Sequence, residues 1–101
     1  MSVSGYGLGR TEVRAQAVDV VRLAVSRVLE VRFDAVTPAT PLTPEAGVDS
    51  LAYVEIIEVA EQHARGLAGR PVSVDDDVLG MLCSVGDLAG HLAQRLEGGA
   101  R

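Results

Sequence analysis

The sequence predicts an all-α fold: a small four-helix bundle of three main helices, with one short helix between the second and the last. Three observations carry this. Apolar residues recur at helical spacing in three separate stretches. No convincing strand pattern and no internal repeat interrupts them. Aromatics make up only 3% of a chain that is 48% hydrophobic, so Val, Leu, Ile and Ala must build an interior by close helix-on-helix packing. At 101 residues the chain is one domain.

Residues 1–10, MSVSGYGLGR, read as a flexible Gly-rich tail. Gly5, Gly7 and Gly9 lack GxGxxG spacing, and no strand precedes them. The domain proper is expected over 11–97. Thr11 is placed as N-cap of a first helix running to about Glu30. Val13, Ala17, Val20, Val21, Ala24, Val25, Val28 and Leu29 form its apolar face, and Arg14, Asp19, Arg22, Arg27 and Glu30 the other. Pro38, Pro41 and Pro44 make 31–47 an extended loop, pinned to the core through Phe33, Val36 and Leu42. A second helix is expected from Ser50 to His63 or Arg65, ended by Gly66 and Gly69. A loop over 66–74 follows. Ser73 and the run Asp75, Asp76, Asp77 then open a short helix that Gly80 ends, since acids favour the positive end of a helix dipole. A DxD-type metal site is the alternative for that run, but no other ligand cluster accompanies it and no metal is expected. In the last helix Ser84 and Asp87 form a capping-box-like pair, Val85, Leu88, Ala89, Leu92, Ala93 and Leu96 form the stripe, and Gly98 and Gly99 end it. Residues 98–101 are expected to be a second flexible tail.

The net charge is -5 and all nine basic residues are Arg. That disfavours nucleic-acid binding, which needs a basic face. No apolar run reaches membrane-spanning length, and the N-terminus lacks a signal-peptide pattern. The single cysteine, Cys83, cannot form an internal disulfide, which fits a reducing compartment. The expectation is a soluble, cytoplasmic, monomeric protein.

Stepping the second helix at about 100° per residue from Ser50 puts Val59, Ala52, Ile56, Ala60, Tyr53 and Ile57 in one arc, the core face. Ser50, Glu55, Glu58, Glu61, Gln62 and Arg65 fall opposite. Val54 and Leu51 land at about 40° and about 100°, inside the polar arc. Two apolar residues beside a serine, ringed by Glu55, Glu58 and Glu61, have the anatomy of a docking surface; ordinary exposed Leu and Val is the plainer alternative. Glu45, Asp49, Glu55, Glu58 and Glu61 contribute five acids with no Arg from 45 to 64, equal to the whole net charge. Such a face is either simply solvated or steers a basic partner.

Ser50 itself has three candidate roles: cap, nucleophile or attachment point. Asp49 is the better cap, because it precedes the first helical residue. A hydrolase elbow needs glycines two residues either side of the serine, where Val48 and Ala52 stand. His63 lies far along the helix on its buried side, and His91 lies within the last helix, so neither is placed as a catalytic base. No pocket is expected. Attachment fits best, since a phosphodiester on Ser50 would meet free N–H groups and the positive end of a helix.

TPATPLTPEAGVDSLAYVEIIEVAE, with the closing SVGDLAGHLAQRL, resembles the acyl carrier protein family over nearly the whole span from Val13 to Leu96. The motif that carries the resemblance is Gly47-x-Asp49-Ser50-Leu51, preceded by a Pro/Thr loop bearing Leu42 and followed by an acidic helix. The resemblance implies a four-helix bundle, with 4′-phosphopantetheine from coenzyme A on Ser50 and Asp49 as its motif neighbour. The arm's thiol holds acyl groups as thioesters, and the carrier itself catalyses nothing. Implied partners are a phosphopantetheinyl transferase and acyltransferase, ketosynthase or acyl-activating enzymes with basic docking patches. These partners would dock on Leu51, Val54, Glu55, Glu58 and Glu61. Ala64 stands where fatty-acid carriers usually have an aromatic residue, Glu58 where they often have an apolar one, and Ala46 where Leu is frequent. The link GLAGRPVSVDDD is longer. These departures point to polyketide or related specialised metabolism. A peptidyl carrier, typically with glycine where Val48 stands, and a fatty-acid carrier are the alternatives within the class. A cofactor-free helical interaction module and a small serine hydrolase are the alternatives outside it. Cys83 is expected to be a small buried or loop hydrophobe, distinct from the carrier thiol.

Overall fold

The computed structural model describes residues 9–98, so most of the expected tails lies outside it. Three α-helices dominate: α1 (Gly9–Leu29), α2 (Ser50–Ala68) and α3 (Val85–Gly98). Three 3₁₀ helices lie in the connections, at Phe33–Ala35, Pro44–Ala46 and Asp76–Met81. Among the described residues there is no strand, only an isolated bridge between Pro41 and Ser84. The molecule is an all-α bundle. α1 packs against both α2 and α3, while α2 and α3 scarcely touch each other.

The apolar stripes meet as their periods require. Ala17, Val20, Val21, Ala24 and Val25 of α1, Ile56, Ile57, Ala60 and Ala64 of α2, and Val85, Leu88, Ala89, Leu92 and Ala93 of α3 form one buried cluster. The connections add Val36, Leu42, Val48, Val72, Val74 and Leu82 to it.

Several boundaries differ from expectation. α1 starts at Gly9, so Thr11 lies inside the helix rather than capping it; no glycine or proline after Gly9 interrupts the turn. It ends in a Schellman turn, with the Val31 N–H donating to the Ser26 carbonyl and Glu30 in the left-handed region at φ 56. Gly66 does not stop α2. Leu67 and Ala68 continue the helix at the modest cost of one internal glycine, and the αL position falls at Gly69, φ 72. The short helix is 3₁₀, with Asp75 at its N-cap position but no side-chain cap bond, and contains Gly80 instead of ending there; Ser73 lies outside it between buried Val72 and Val74. α3 runs on through Gly98.

Arg22 also departs from the solvent face assigned to it. Its guanidinium donates to the Val36 carbonyl at 2.6 Å and the Phe33 carbonyl at 3.1 Å, and stacks 4.0 Å over the Phe33 ring. Phe33, expected to pin the loop by burial, is instead held partly exposed under this cation. Further along, the loop closes on α3. Thr40 and Pro38 carbonyls accept the Val85 and Gly86 N–H groups, at 2.9 and 2.8 Å, and the Ser84 hydroxyl accepts from Asp87 at 3.1 Å. Two of the otherwise orphaned donors of the first turn of α3 are thereby satisfied by the proline-rich loop and a third by Ser84. A Cβ at Gly86 would stand 3.1 Å from the Pro38 carbonyl, so any larger residue there would have to push the loop back by a few tenths of an ångström.

Candidate functional site

The segment before α2 places Ser50. Pro44–Ala46 turns the chain, and Gly47 continues the turn at φ 93, a conformation L side chains avoid. The next residue, Val48, is buried in the core. With Val48 plugged inward, Asp49 and Ser50 emerge at the surface. Asp49 is the N-cap of α2, its carboxylate accepting the Ala52 N–H at 2.8 Å and its carbonyl the Tyr53 N–H at 2.9 Å. Ser50 is the first helical residue and is exposed. Among the described residues nothing accepts the Ser50 or Leu51 N–H, so both remain available to an acceptor at the helix end. Gly47→Ala should cost about 1–2 kcal/mol, as the price of a left-handed L-residue, and lower the melting temperature. The space beside its Cα is open, so the loss is backbone strain alone.

The helical phase of α2 places Leu51 70% exposed and Val54 45% exposed, next to exposed Glu55 and Glu58. Glu45, Asp49, Glu55 and Glu58 have no ion-pair partner among the described residues. Glu61 stands apart from them. It is half-buried, and its carboxylate accepts the Val74 N–H at 2.8 Å, so it anchors a connection rather than the rim of a docking surface.

Beside Ser50 opens an apolar cleft of about 430 Å³, where none was expected. It is lined by Ser50, Tyr53 and Val54 of α2, by Leu79, Gly80, Leu82 and Cys83, and by residues of the segment from Leu42 to Asp49. Of the two places expected for Cys83, buried or in a loop, it takes the loop and is exposed on the cleft wall; its N–H donates to Asp87 and its carbonyl accepts from Leu42. The Tyr53 hydroxyl donates to the Leu79 carbonyl and lies 3.0 Å from the Leu82 carbonyl. Burial pushes the Tyr53 phenol above its usual range, and the nearby Cys83 and Asp87 add to the rise.

No histidine lines the cleft among the described residues. His63 is thirteen positions along α2 from Ser50, about 20 Å away at the helical rise. His91 Nε2 accepts from the Asp75 N–H at 3.4 Å. Asp75 also pairs with Arg95 at 3.7 Å, and among the described residues no three metal-ligating side chains converge. No helix described is long and apolar enough to cross a membrane.

The cleft wall had no periodic signature in the sequence, since a 3₁₀ segment repeats neither at 3.6 nor at 2. Tyr53 did carry one signal: a tyrosine on a core face needs a partner for its hydroxyl.

No protein-family model matches the chain, and a search of curated proteins finds no significant match. The geometry of Ser50 fits a phosphodiester-linked arm. The hydroxyl is free of structural duty, two N–H groups are open to an anion, and an apolar cleft adjoins.

Proposed function

We propose that the chain is a carrier protein that holds acyl groups on a 4′-phosphopantetheine arm attached to Ser50, and that it serves polyketide or related specialised metabolism without catalysing a step. The observation that carries this is the exposed Ser50 at the capped start of α2, on the rim of an apolar cleft and next to the outward Leu51 and Val54. The arm, when attached, supplies a thiol that holds acyl groups as thioesters. The chain's own residues supply recognition and placement. Asp49 fixes the first turn of α2, and the N–H groups of Ser50 and Leu51 favour the phosphate by about 0.3–1 kcal/mol through the helix dipole. That is too little to drive modification, so a transferase must read the helix. Leu51 and Val54 offer it contact area, and Glu55 and Glu58 orient a basic docking patch.

Incubation with a broad-specificity phosphopantetheinyl transferase and coenzyme A tests the proposal. Intact mass should rise by one phosphopantetheine, and peptide mapping should place it on Ser50. An unchanged mass, where a known carrier loads under the same conditions, rejects it. Reversing Glu55 and Glu58 to Lys should slow transferase association by about tenfold at low ionic strength and flatten its salt dependence, because rim charges act mainly on the on-rate. Stopped-flow association at several salt concentrations measures this.

A further inference from the structure

We infer that the 3₁₀ segment Asp76–Met81 is a lid on the cleft beside Ser50, and that the Tyr53 hydroxyl is its latch. The inference does not depend on whether Ser50 carries a modification.

The segment is weakly held by packing. No residue within it is buried; Val78 and Leu79 are its half-buried anchors. Its contacts with the three long helices are sparse. A 3₁₀ helix has poorer hydrogen-bond geometry than an α-helix, and a stretch with so little apolar burial belongs to the low-stability end of a fold.

Its two ends, in contrast, are fixed. Val74 is buried, and its N–H is held by the Glu61 carboxylate at 2.8 Å. Leu82 is buried as well, and the following Cys83 N–H is held by the Asp87 carboxylate at 3.1 Å. The chain between these posts can swing by releasing only the half-buried Val78 and Leu79 from the core.

What joins the middle of the segment to α2 is the Tyr53 hydroxyl, donating to the Leu79 carbonyl, with the Leu82 carbonyl at 3.0 Å as a second acceptor. A phenol has one proton, so it serves one carbonyl at a time. Leu79 and Gly80 are also part of the cleft wall that faces Ser50, Tyr53 and Val54. Releasing the phenol from the Leu79 carbonyl therefore widens the cleft directly.

Tyr53→Phe keeps the ring and removes the latch. Hydrogen exchange of the full chain should show amides of 76–81 opening about three- to tenfold more readily, the range expected for one lost hydrogen bond. Amides of Val21, Ala24 and Val25 in α1 should be unchanged, and the thermal melt should keep a single transition. Unchanged exchange over 76–81 would overturn the inference. So would a rise spread equally into α1, or failure of the variant to fold, since either makes the hydroxyl a support of the whole core. Val78→Ala, which weakens an anchor but keeps the phenol, should loosen the same amides; if it loosens α1 equally, the segment is no separate unit and the lid is rejected.

Discussion

Ser50→Ala should abolish phosphopantetheine loading and leave stability within about 0.5 kcal/mol of the parent chain. The two halves of this expectation have different origins. Loading should be lost because the side chain proposed to accept the arm is gone, and no neighbouring hydroxyl shares its place: residues 51–54 are Leu, Ala, Tyr and Val, and the phenol of Tyr53 is turned to the Leu79 carbonyl. Stability is kept because Ser50 is exposed and the capping duty belongs to Asp49. Intact mass and a thermal melt on the same sample read both. A variant that still gained one phosphopantetheine would move the site elsewhere.

Ile56→Ala should cost about 2–5 kcal/mol, while Leu51→Ala and Val54→Ala should each stay within about 0.5 kcal/mol. All three residues lie within two turns of one helix. Ile56 is wholly inaccessible, among the largest fully buried side chains, whereas Leu51 and Val54 face outward. Truncating Ile56 leaves a cavity that the α1 and α3 neighbours fill only in part, and against a typical total of about 5–15 kcal/mol the loss is severe. Leu51→Ala and Val54→Ala should instead weaken transferase binding. Chemical denaturation of the three variants decides the stability claim. Equal destabilisation would mean that the outward pair supports the core and does not form a docking surface.

What was legible in the sequence follows what is local or periodic. The stripe of α1 is readable because Ala17, Val20, Val21, Ala24 and Val25 repeat at helical spacing, and all are buried. The phase of α2 is readable for the same reason, so the period alone turns Leu51 and Val54 outward. Asp49 could be placed as the cap because it immediately precedes the apolar period. Polar side chains that choose distant partners were not legible. Arg22 and Glu61 sit on helix positions that look solvated, yet each reaches a backbone group more than ten residues away. The cleft was missed because its far wall is a 3₁₀ segment brought to α2 by tertiary contacts. Cys83 was placed as a buried or loop hydrophobe from its position before Ser84 and its lack of a basic neighbour, neither of which says which way a loop turns it.

The unequal pairing of the helices sets an order of events during synthesis. α1 finds its main partner in α3, so the first helix made waits for the last. At about 5–20 residues per second, a ribosome leaves the Ala17–Val25 stripe without its chief cover for several seconds. The proline-rich loop is in the same position, because its Pro38 and Thr40 carbonyls accept the Gly86 and Val85 N–H groups of α3. A nascent chain arrested before Val85 would therefore hold Ser50 without a closed core behind it. An enzyme that reads the folded surface of α2 would meet its substrate only after α3 had been made.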